Sequence, residues 1–129
     1  MTHNIFPPGF ESDLKTIAID FDGVLHTYDK GYFDGTCYGN PVPGAIEAIR
    51  EISKEFKIII YSAKAKPDRP LVNGKKGTAL VEEWLKKYEI FDCISSITSE
   101  KPRAILYIDD NAYRFDNWHN TLSFIKKQL

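Results

Sequence analysis

The stretch TIAIDFDGVL, residues 16–25, decides the fold of this chain. It opens with four apolar or β-branched residues and breaks into two aspartates that are separated by one residue and followed by Gly23. A short apolar run of this kind suits a parallel strand buried on both faces, and although a buried helix gives a similar pattern, the charges and Gly23 argue against one. Ligands of open parallel sheets bind outside the carboxyl ends of the strands. We therefore expect Asp20 and Asp22 to lie where a substrate would bind.

Composition restricts the class of protein further. The chain has 129 residues, of which 43% are hydrophobic and 27% charged, and its formal net charge is −1. These are ordinary values for one globular domain, and they give no general attraction to nucleic acid or membrane. Cys37 and Cys93 fall in no metal-ligand spacing, so we expect two free thiols in a reducing compartment. No leader-like segment or apolar stretch of membrane-spanning length is present, which predicts a cytoplasmic protein with no membrane contact.

Strand and helix patterns alternate along the chain. We expect strands at 16–20, 57–61, 93–97 and 104–108 and helices at 44–56, 78–88 and around 123–127, with a loose arm at 1–13, a glycine- and tyrosine-rich flap or small hairpin at 26–43 and a polar loop at 64–76. Strands that alternate with helices imply right-handed crossovers and one parallel sheet with helices on both faces. The prediction is a single α/β domain spanning residues 1–129.

Polar residues recur where the predicted strands end. Ser62 and Ala63 follow the second strand, and Asp109 and Asp110 follow the last one, with Lys101 shortly before it. Phosphoryl transfer needs an oxygen nucleophile, a cation beside the phosphoryl oxygens and a proton donor for the leaving group. Residues of these types are what the strand ends provide.

These four motifs, in this order, resemble the haloacid dehalogenase-like phosphohydrolase superfamily. The resemblance runs from about residue 16 to residue 111 and is greatest to the small members without a cap, whose relatives include magnesium-dependent and polynucleotide-end phosphatases. It implies a three-layer Rossmann-like fold with a central parallel sheet, helices on both faces and no separate cap domain. It also implies Mg²⁺-dependent hydrolysis of a phosphomonoester.

The resemblance assigns a role to each motif. Asp20 is expected to be the nucleophile that forms an aspartyl-phosphate, and Asp22 to protonate the leaving alcohol and then to activate water. The Ser62 hydroxyl and the Ala63 amide are expected to bind the phosphate. Lys101 is expected to offset the negative charge, although Lys64 competes for that role because it follows Ser62 so closely.

A divalent cation is expected on electrostatic grounds as well. A carboxylate facing a phosphate would repel it by about 4 kcal/mol per pair of unit charges at ~4 Å and an effective dielectric of ~20. Mg²⁺ prefers a few carboxylate oxygens together with water and substrate phosphate. The expected ligands are Asp20, the Asp22 carbonyl and Asp109, with Asp110 acting directly or through water.

Each of these features has a plainer interpretation. An isolated Asp-x-Asp can be a solvated turn, Ser62 a helix cap, and Lys101 a surface lysine before a proline. The three histidines are scattered and have no cysteine ligands beside them, so we expect each to be a surface or packing residue rather than a zinc ligand; they are His3, His26 and His119.

The substrate is expected to be large, or to carry its phosphate at an accessible end, because neither family insertion point has room for a cap domain. The polar loop carries five basic residues, which could bind a second phosphate, and the flap carries three tyrosines, which could stack a base; they are Lys64, Lys66, Arg69, Lys75 and Lys76, and Tyr28, Tyr32 and Tyr38. A nucleotide or a polynucleotide end is the predicted substrate. A solvated loop and a self-packed flap are the alternative.

Two other functional classes use similar residues. A receiver-like phosphoacceptor domain also gathers aspartates, a hydroxyl and a lysine around magnesium, but it usually has its acidic pair on the first strand and its phosphoacceptor on a later one. A non-catalytic interaction module could also have this fold. We expect sustained turnover from a hydrolase and none from the other two classes.

Overall fold

The computed structural model describes residues 15–109 and 113–128. Asp110 and the arm predicted at 1–13 lie outside the described residues. The elements, in chain order, are β1 Thr16–Asp20, α1 Ala45–Ile52, β2 Lys57–Tyr61, α2 Gly77–Lys87, β3 Ser96–Thr98, β4 Leu106–Asp109, β5 Tyr113–Arg114 and α3 Trp118–Gln128. The chain is thus an α/β protein, as its sequence predicts.

The strands form one parallel sheet in the order β3-β2-β1-β4-β5. Strand β1 lies at the centre, and its residues from Thr16 to Ile19 are all buried. Its neighbours are β2, which leads into Ser62, and β4, which ends at Asp109. The predicted placement of the Asp20 strand between the other two is confirmed.

Each helix buries one stripe of side chains. Each buried set recurs three and four residues after its first or preceding member: Ala45, Ala48, Ile49 and Ile52 in α1, Val81, Trp84 and Leu85 in α2, and Trp118, Thr121 and Ile125 in α3. This spacing places them on one face of each helix, as expected for amphipathic helices that cover a core. The charged residues of α1 and α2 lie mainly on the other faces.

The ends of several elements differ from the sequence predictions. Helix α1 stops at Ile52, and β3 is displaced towards the carboxyl end because Phe91–Cys93 forms a 3₁₀ turn. Helix α3 starts at Trp118, well before the predicted 123, because the Asn117 side chain accepts the Asn120 backbone N–H at 2.9 Å. Such an asparagine cap satisfies an amide that would otherwise have no partner in the first turn.

The crossover from β3 to β4 contains no helix, which differs from the predicted alternation of strands and helices. Residues 99–105 make this connection as irregular chain, and seven residues can span only about 25 Å when extended. These residues must pass the two strands β2 and β1 to reach β4, so the connection has little spare length. Lys101 lies on this stretched segment.

Residues 26–43 form turns rather than a regular hairpin. The two ends of this segment are held together by a single antiparallel bridge between His26 and Pro41, and the Thr27 N–H donates to the Asn40 carbonyl at 3.1 Å. The segment therefore returns to its starting point beside the end of β1. Within the described ranges, no helix combines the length and the apolar character needed to cross a bilayer.

Candidate active site

Asp20 and Asp109 are the last residues of two adjacent strands. Strands β1 and β4 pair in a register that places Ile19 opposite Ile108, so the two aspartates follow at the next position on each strand. Adjacent strands lie about 4.8 Å apart, which brings both residues to one edge of the sheet. An Asp20 carboxylate oxygen accepts the Phe21 backbone N–H at 2.8 Å. The motifs at the start and the end of the predicted site therefore meet, as the sequence predicts.

A tight turn follows β1 and directs the second aspartate. The N–H groups of Leu25 and His26 both donate to the Phe21 carbonyl, at 2.9 and 3.0 Å, and the Gly23 N–H donates to the His26 carbonyl at 2.7 Å. These bonds fold residues 21–26 back on themselves. As a result His26, four residues after Asp22, faces its side chain.

Asp22 is held at both carboxylate oxygens. Its Oδ1 lies 2.9 Å from His26 Nδ1, and its Oδ2 lies 2.8 Å from Lys64 Nζ. Lys64 is buried, and its ammonium lies 4.6 Å from the centre of the Tyr28 ring. A buried ammonium needs such partners because its desolvation is costly. Asp22 therefore belongs to a fixed network rather than to a solvated turn.

Lys101 and Lys64 contact different aspartates. Lys101 Nζ lies 3.0 Å from Asp109 Oδ2, and its ammonium also lies 4.8 Å from the centre of the Tyr107 ring. The Tyr61 hydroxyl donates to the same Asp109 oxygen. Burial, together with this bond, raises the pKa of Tyr61 well above its usual range, so the phenol keeps its proton at neutral pH. Sequence reasoning treated the lysines as competitors, whereas each one neutralises its own carboxylate.

Ser62 caps a 3₁₀ turn at the end of β2. Its backbone N–H donates to the Thr98 carbonyl at 2.9 Å, and its Oγ accepts the Lys64 N–H at 3.1 Å, which starts the turn Ala63–Ala65. Ser62 is therefore a cap of this turn, as the plainer interpretation predicts. A serine hydroxyl that accepts one bond still has a proton to donate, so the cap does not exclude phosphate binding.

The segment that follows Ser62 packs directly on the start of α2. A Cβ on Gly77 would lie 1.6 Å from the Lys64 carbonyl oxygen, so only glycine permits this approach. The contact fixes the backbone of Lys64, and with it the base of the ammonium that reaches Asp22. Gly77 is thus part of the support of the site although it lies thirteen residues further along the chain.

The five basic residues of the polar loop divide into two groups. Lys64 is paired with Asp22, and Lys75 pairs with Glu83 at 2.9 Å. The other three form no ion pair with any described residue and line a cavity of about 170 Å³ together with Ala65, Pro67, Gly77 and Thr78; they are Lys66, Arg69 and Lys76. The Ala65 N–H donates to the Ser62 carbonyl at 3.0 Å, so this cavity begins one 3₁₀ turn from Ser62.

The flap tyrosines also differ from one another. Tyr38 is packed, because its hydroxyl donates to the Gly31 carbonyl and its ring contacts His26 edge-on. Tyr28 lies under the Lys64 ammonium. Tyr32 is exposed and lies near Arg69, and Phe33 beside it is exposed as well. The self-packed alternative thus holds for two of the three tyrosines.

His26 is one of the site residues that sequence reasoning did not place in the site. It is fully buried, as the packing interpretation predicts, but it also contacts Asp22 directly. The only signal in the sequence is its position four residues after Asp22, across a turn that contains glycine. His119 is exposed, as predicted, and His3 lies outside the described residues.

The donors available to a metal are oxygen atoms. Asp20 and Asp109 provide carboxylates on neighbouring strand ends, and Asp110, the predicted neighbouring ligand, lies outside the described residues. Among the described residues, no group of three or more acidic, histidine or cysteine side chains is close enough to hold a metal. The carboxylates of Asp20 and Asp109, together with the expected Asp22 carbonyl, are ligands that suit Mg²⁺, which usually completes its coordination with water and substrate phosphate.

Comparison with known proteins gives no relative for this chain. No family model, no curated protein and no solved structure matches it.

Proposed function

We propose that this protein is a magnesium-dependent phosphomonoester hydrolase of the haloacid dehalogenase-like type that acts through an aspartyl-phosphate. The observation that supports the proposal best is the Asp20-Phe21-Asp22 motif at the carboxyl end of the central strand, with Asp22 held by two donors at 2.8 and 2.9 Å. A solvated turn would not need a buried lysine and a buried histidine on one carboxylate. An acid–base carboxylate does need fixed orientation.

Asp20 acts as the nucleophile and attacks the phosphorus in line with the leaving oxygen. The Ser62 hydroxyl and the Ala63 N–H donate to phosphoryl oxygens, and Lys101, at 3.0 Å from Asp109, reduces the negative charge at this edge of the sheet. Water then attacks the aspartyl-phosphate and releases phosphate. Each of these contributions is positional or electrostatic, which is what phosphoryl transfer requires of a protein.

Asp22 transfers protons in both halves of the reaction. With two donors on its oxygens, it is arranged as a carboxylate, which is the form that accepts a proton from the attacking water. The proton that Asp22 takes from this water is the one it gives to the leaving alcohol in the next turnover, while Lys64 Nζ, at 2.8 Å, holds its second oxygen in place. Lys64 therefore interacts with Asp22, the proposed acid and base, whereas Lys101 interacts with Asp109, a proposed metal ligand.

Asp20, the Asp22 carbonyl and Asp109 would hold Mg²⁺, with Asp110 as a further candidate. When bound, Mg²⁺ neutralises phosphoryl oxygens and offsets their repulsion by the carboxylates. All these donors are hard oxygen ligands of the kind that Mg²⁺ prefers. Lys101 and Tyr61 would keep the Asp109 carboxylate oriented in its absence.

We propose a three-layer arrangement without a cap domain, in which the helices cover both faces of the sheet, and a cytoplasmic location. The two family insertion points hold only the turns at 26–43 and the loop at 64–76, so the site would open directly to solvent. A large substrate, such as a nucleotide or a polynucleotide end, would fit. Lys66, Arg69 and Lys76 could then bind a second phosphate, and Tyr32 with Phe33 could stack a base.

Phosphate release from p-nitrophenyl phosphate and from a panel of alkyl and nucleoside monophosphates tests this proposal. We expect sustained release with Mg²⁺ and none after a chelator removes it, with recovery when Mg²⁺ is restored. One equivalent of phosphorylation by acetyl phosphate without turnover would support a receiver-like phosphoacceptor instead. Neither release nor phosphorylation, by a protein shown to be folded, would support a non-catalytic module.

A further inference from the structure

We propose that His26 is a positioning residue that fixes Asp22 for proton transfer, with its imidazole set in the Nδ1–H form by the Gly39 backbone. The inference rests on the proposed function, because it concerns the same acid–base step. It is carried by the contacts of His26 on both ring nitrogens.

The Gly39 backbone determines which nitrogen carries the proton. Its N–H donates to His26 Nε2 at 2.8 Å, so Nε2 must supply a lone pair. A neutral imidazole that accepts at one nitrogen is a donor at the other. Nδ1 therefore carries the hydrogen and donates it to Asp22 Oδ1, 2.9 Å away.

Gly39 is itself held in place. A Cβ there would lie 2.3 Å from Thr27 Oγ1 and 3.0 Å from His26 Nε2, so the close approach of its N–H requires glycine. On its other side, Trp84 Nε1 donates to the Gly39 carbonyl at 2.9 Å. The donor that sets the form of His26 is thus fixed by helix α2.

The imidazole plane is also fixed by its neighbours. The ring is fully buried and stacks on Phe21 with a centroid distance of 5.2 Å and an angle of 4°, and the rings of Trp84 and Tyr38 meet it edge-on. Buried aromatic contacts of this kind leave a ring little freedom. The direction of the Nδ1–H bond is therefore determined by packing.

This arrangement divides the two oxygens of Asp22 between two partners. His26 holds Oδ1 and sets the plane of the carboxylate, while Oδ2 contacts the Lys64 ammonium. Catalytic groups need placement to within about 0.5 Å, and loss of a supporting hydrogen bond typically costs ~10- to 100-fold in activity. A histidine that served packing alone would not need a donor aimed at Asp22.

A pair of substitutions separates the donor from the bulk of the ring. In His26→Asn the amide nitrogen can replace Nδ1 and donate to Asp22, whereas in His26→Gln the amide oxygen can replace Nε2 and accept from Gly39 without reaching Asp22. Both variants lose the stacking on Phe21 to a similar extent. Tyr38→Phe, which keeps the ring against His26 but lacks the hydroxyl, is the control.

The measurement is the ratio of kcat for an alkyl phosphate to kcat for p-nitrophenyl phosphate, with folding of each variant checked by circular dichroism. We expect this ratio to fall about 10- to 100-fold in His26→Gln and to stay near the wild-type value in His26→Asn and Tyr38→Phe. Equal ratios in both His26 variants, in a wild-type background that is active, would overturn the role of His26 alone. Absence of Mg²⁺-dependent release by the wild type would overturn the proposed function and this role with it.

A spectroscopic measurement needs no activity and no variant. Nitrogen-15 NMR of the imidazole side chains in the wild-type protein distinguishes a protonated from an unprotonated ring nitrogen. We expect His26 to show a proton on Nδ1 and a lone pair on Nε2. A proton on Nε2 would overturn the proposal, because the Gly39 N–H could not then bond there.

Discussion

Two lysine–aspartate pairs lie at the same edge of the sheet, and they differ in the burial of the lysine. In the first, Lys64 is 4% exposed and Asp22 19%; in the second, Lys101 is 43% exposed and Asp109 7%. Lys64 lies between the flap and the start of α2, whereas Lys101 reaches Asp109 from the irregular crossover. Lys64 is therefore a buried residue, whereas Lys101 reaches its aspartate from the protein surface.

The difference indicates that two ion pairs of the same residue types can contribute very different amounts to the stability of one protein. Removing one partner of a buried pair leaves an uncompensated charge and costs about 3–5 kcal/mol, whereas a solvent-exposed pair contributes roughly 0–1 kcal/mol. Asp109 is itself buried, but it keeps the Tyr61 bond when Lys101 is removed and the Lys101 side chain is partly exposed, so we place the second pair near the lower range. Stability and activity should therefore respond differently to changes in the two pairs.

Among changes to the two pairs, the largest effect is expected from Asp22→Asn. An amide can neither donate to the leaving alcohol as an acid does nor accept a proton from water, so kcat for alkyl phosphates should fall about 10²- to 10⁴-fold. The loss should be smaller for p-nitrophenyl phosphate, whose leaving group needs less protonation. Equal losses with both substrates, in steady-state assays of folded protein, would rule out acid–base work by Asp22.

Next in size is the loss of stability in Lys64→Met. Among the described residues, the substitution leaves the largely buried Asp22 carboxylate with His26 as its side-chain partner, and we expect unfolding to become easier by about 3 kcal/mol. Urea denaturation monitored by circular dichroism measures this change. An effect below ~1 kcal/mol would mean that the buried pair behaves like a surface pair and that the comparison is wrong.

A smaller, substrate-dependent effect is expected from the unpaired basic residues. Replacing Lys66, Arg69 and Lys76, which line one cavity, by alanine should raise KM for a 5′-phosphorylated oligonucleotide about 10-fold or more at low salt, because in the proposed complex these charges would contact phosphates. KM for p-nitrophenyl phosphate should stay nearly unchanged. Lys75→Ala is the matched control, because Lys75 is already paired with Glu83. Equal effects on both substrates would contradict a second phosphate site.

The smallest effect is expected on stability in Lys101→Met. The exposed lysine should contribute at most about 1 kcal/mol to the free energy of unfolding, since solvent screens it and Asp109 keeps the Tyr61 bond. Urea denaturation beside Lys64→Met gives the direct contrast. A loss as large as that of Lys64→Met would show that the two pairs are equivalent in stability.

The sequence predicts the parts of this molecule that depend on local pattern. The apolar runs at 16–20 and 57–61 place β1 and β2, and the rule for strand ends brings Asp20, Ser62 and Asp109 to one edge. These predictions succeed because strand burial and the direction of parallel strands leave few alternatives. The helical spacing of apolar residues likewise predicts α2 to within one residue at each end.

The rest depends on contacts between residues that are distant in the chain. Nothing near Lys64 indicates that its ammonium meets Asp22, forty-two residues earlier, or that Gly77 must lack a side chain for this to happen. The Nδ1–H form of His26 likewise depends on Gly39 across the flap. Short elements such as β5 gain their pairing from the neighbouring strand and carry almost no pattern of their own.

The central claim is that Asp20 carries the phosphoryl group, and trapping that group tests it most directly. The protein is mixed with Mg²⁺ and a phosphomonoester, quenched in acid during turnover and digested, and the peptides are examined by mass spectrometry. We expect phosphate on the peptide that contains Asp20, none without Mg²⁺, and none in Asp20→Asn, which should also lose turnover. Sustained turnover by Asp20→Asn, or phosphate trapped on a peptide that lacks Asp20, would contradict the account.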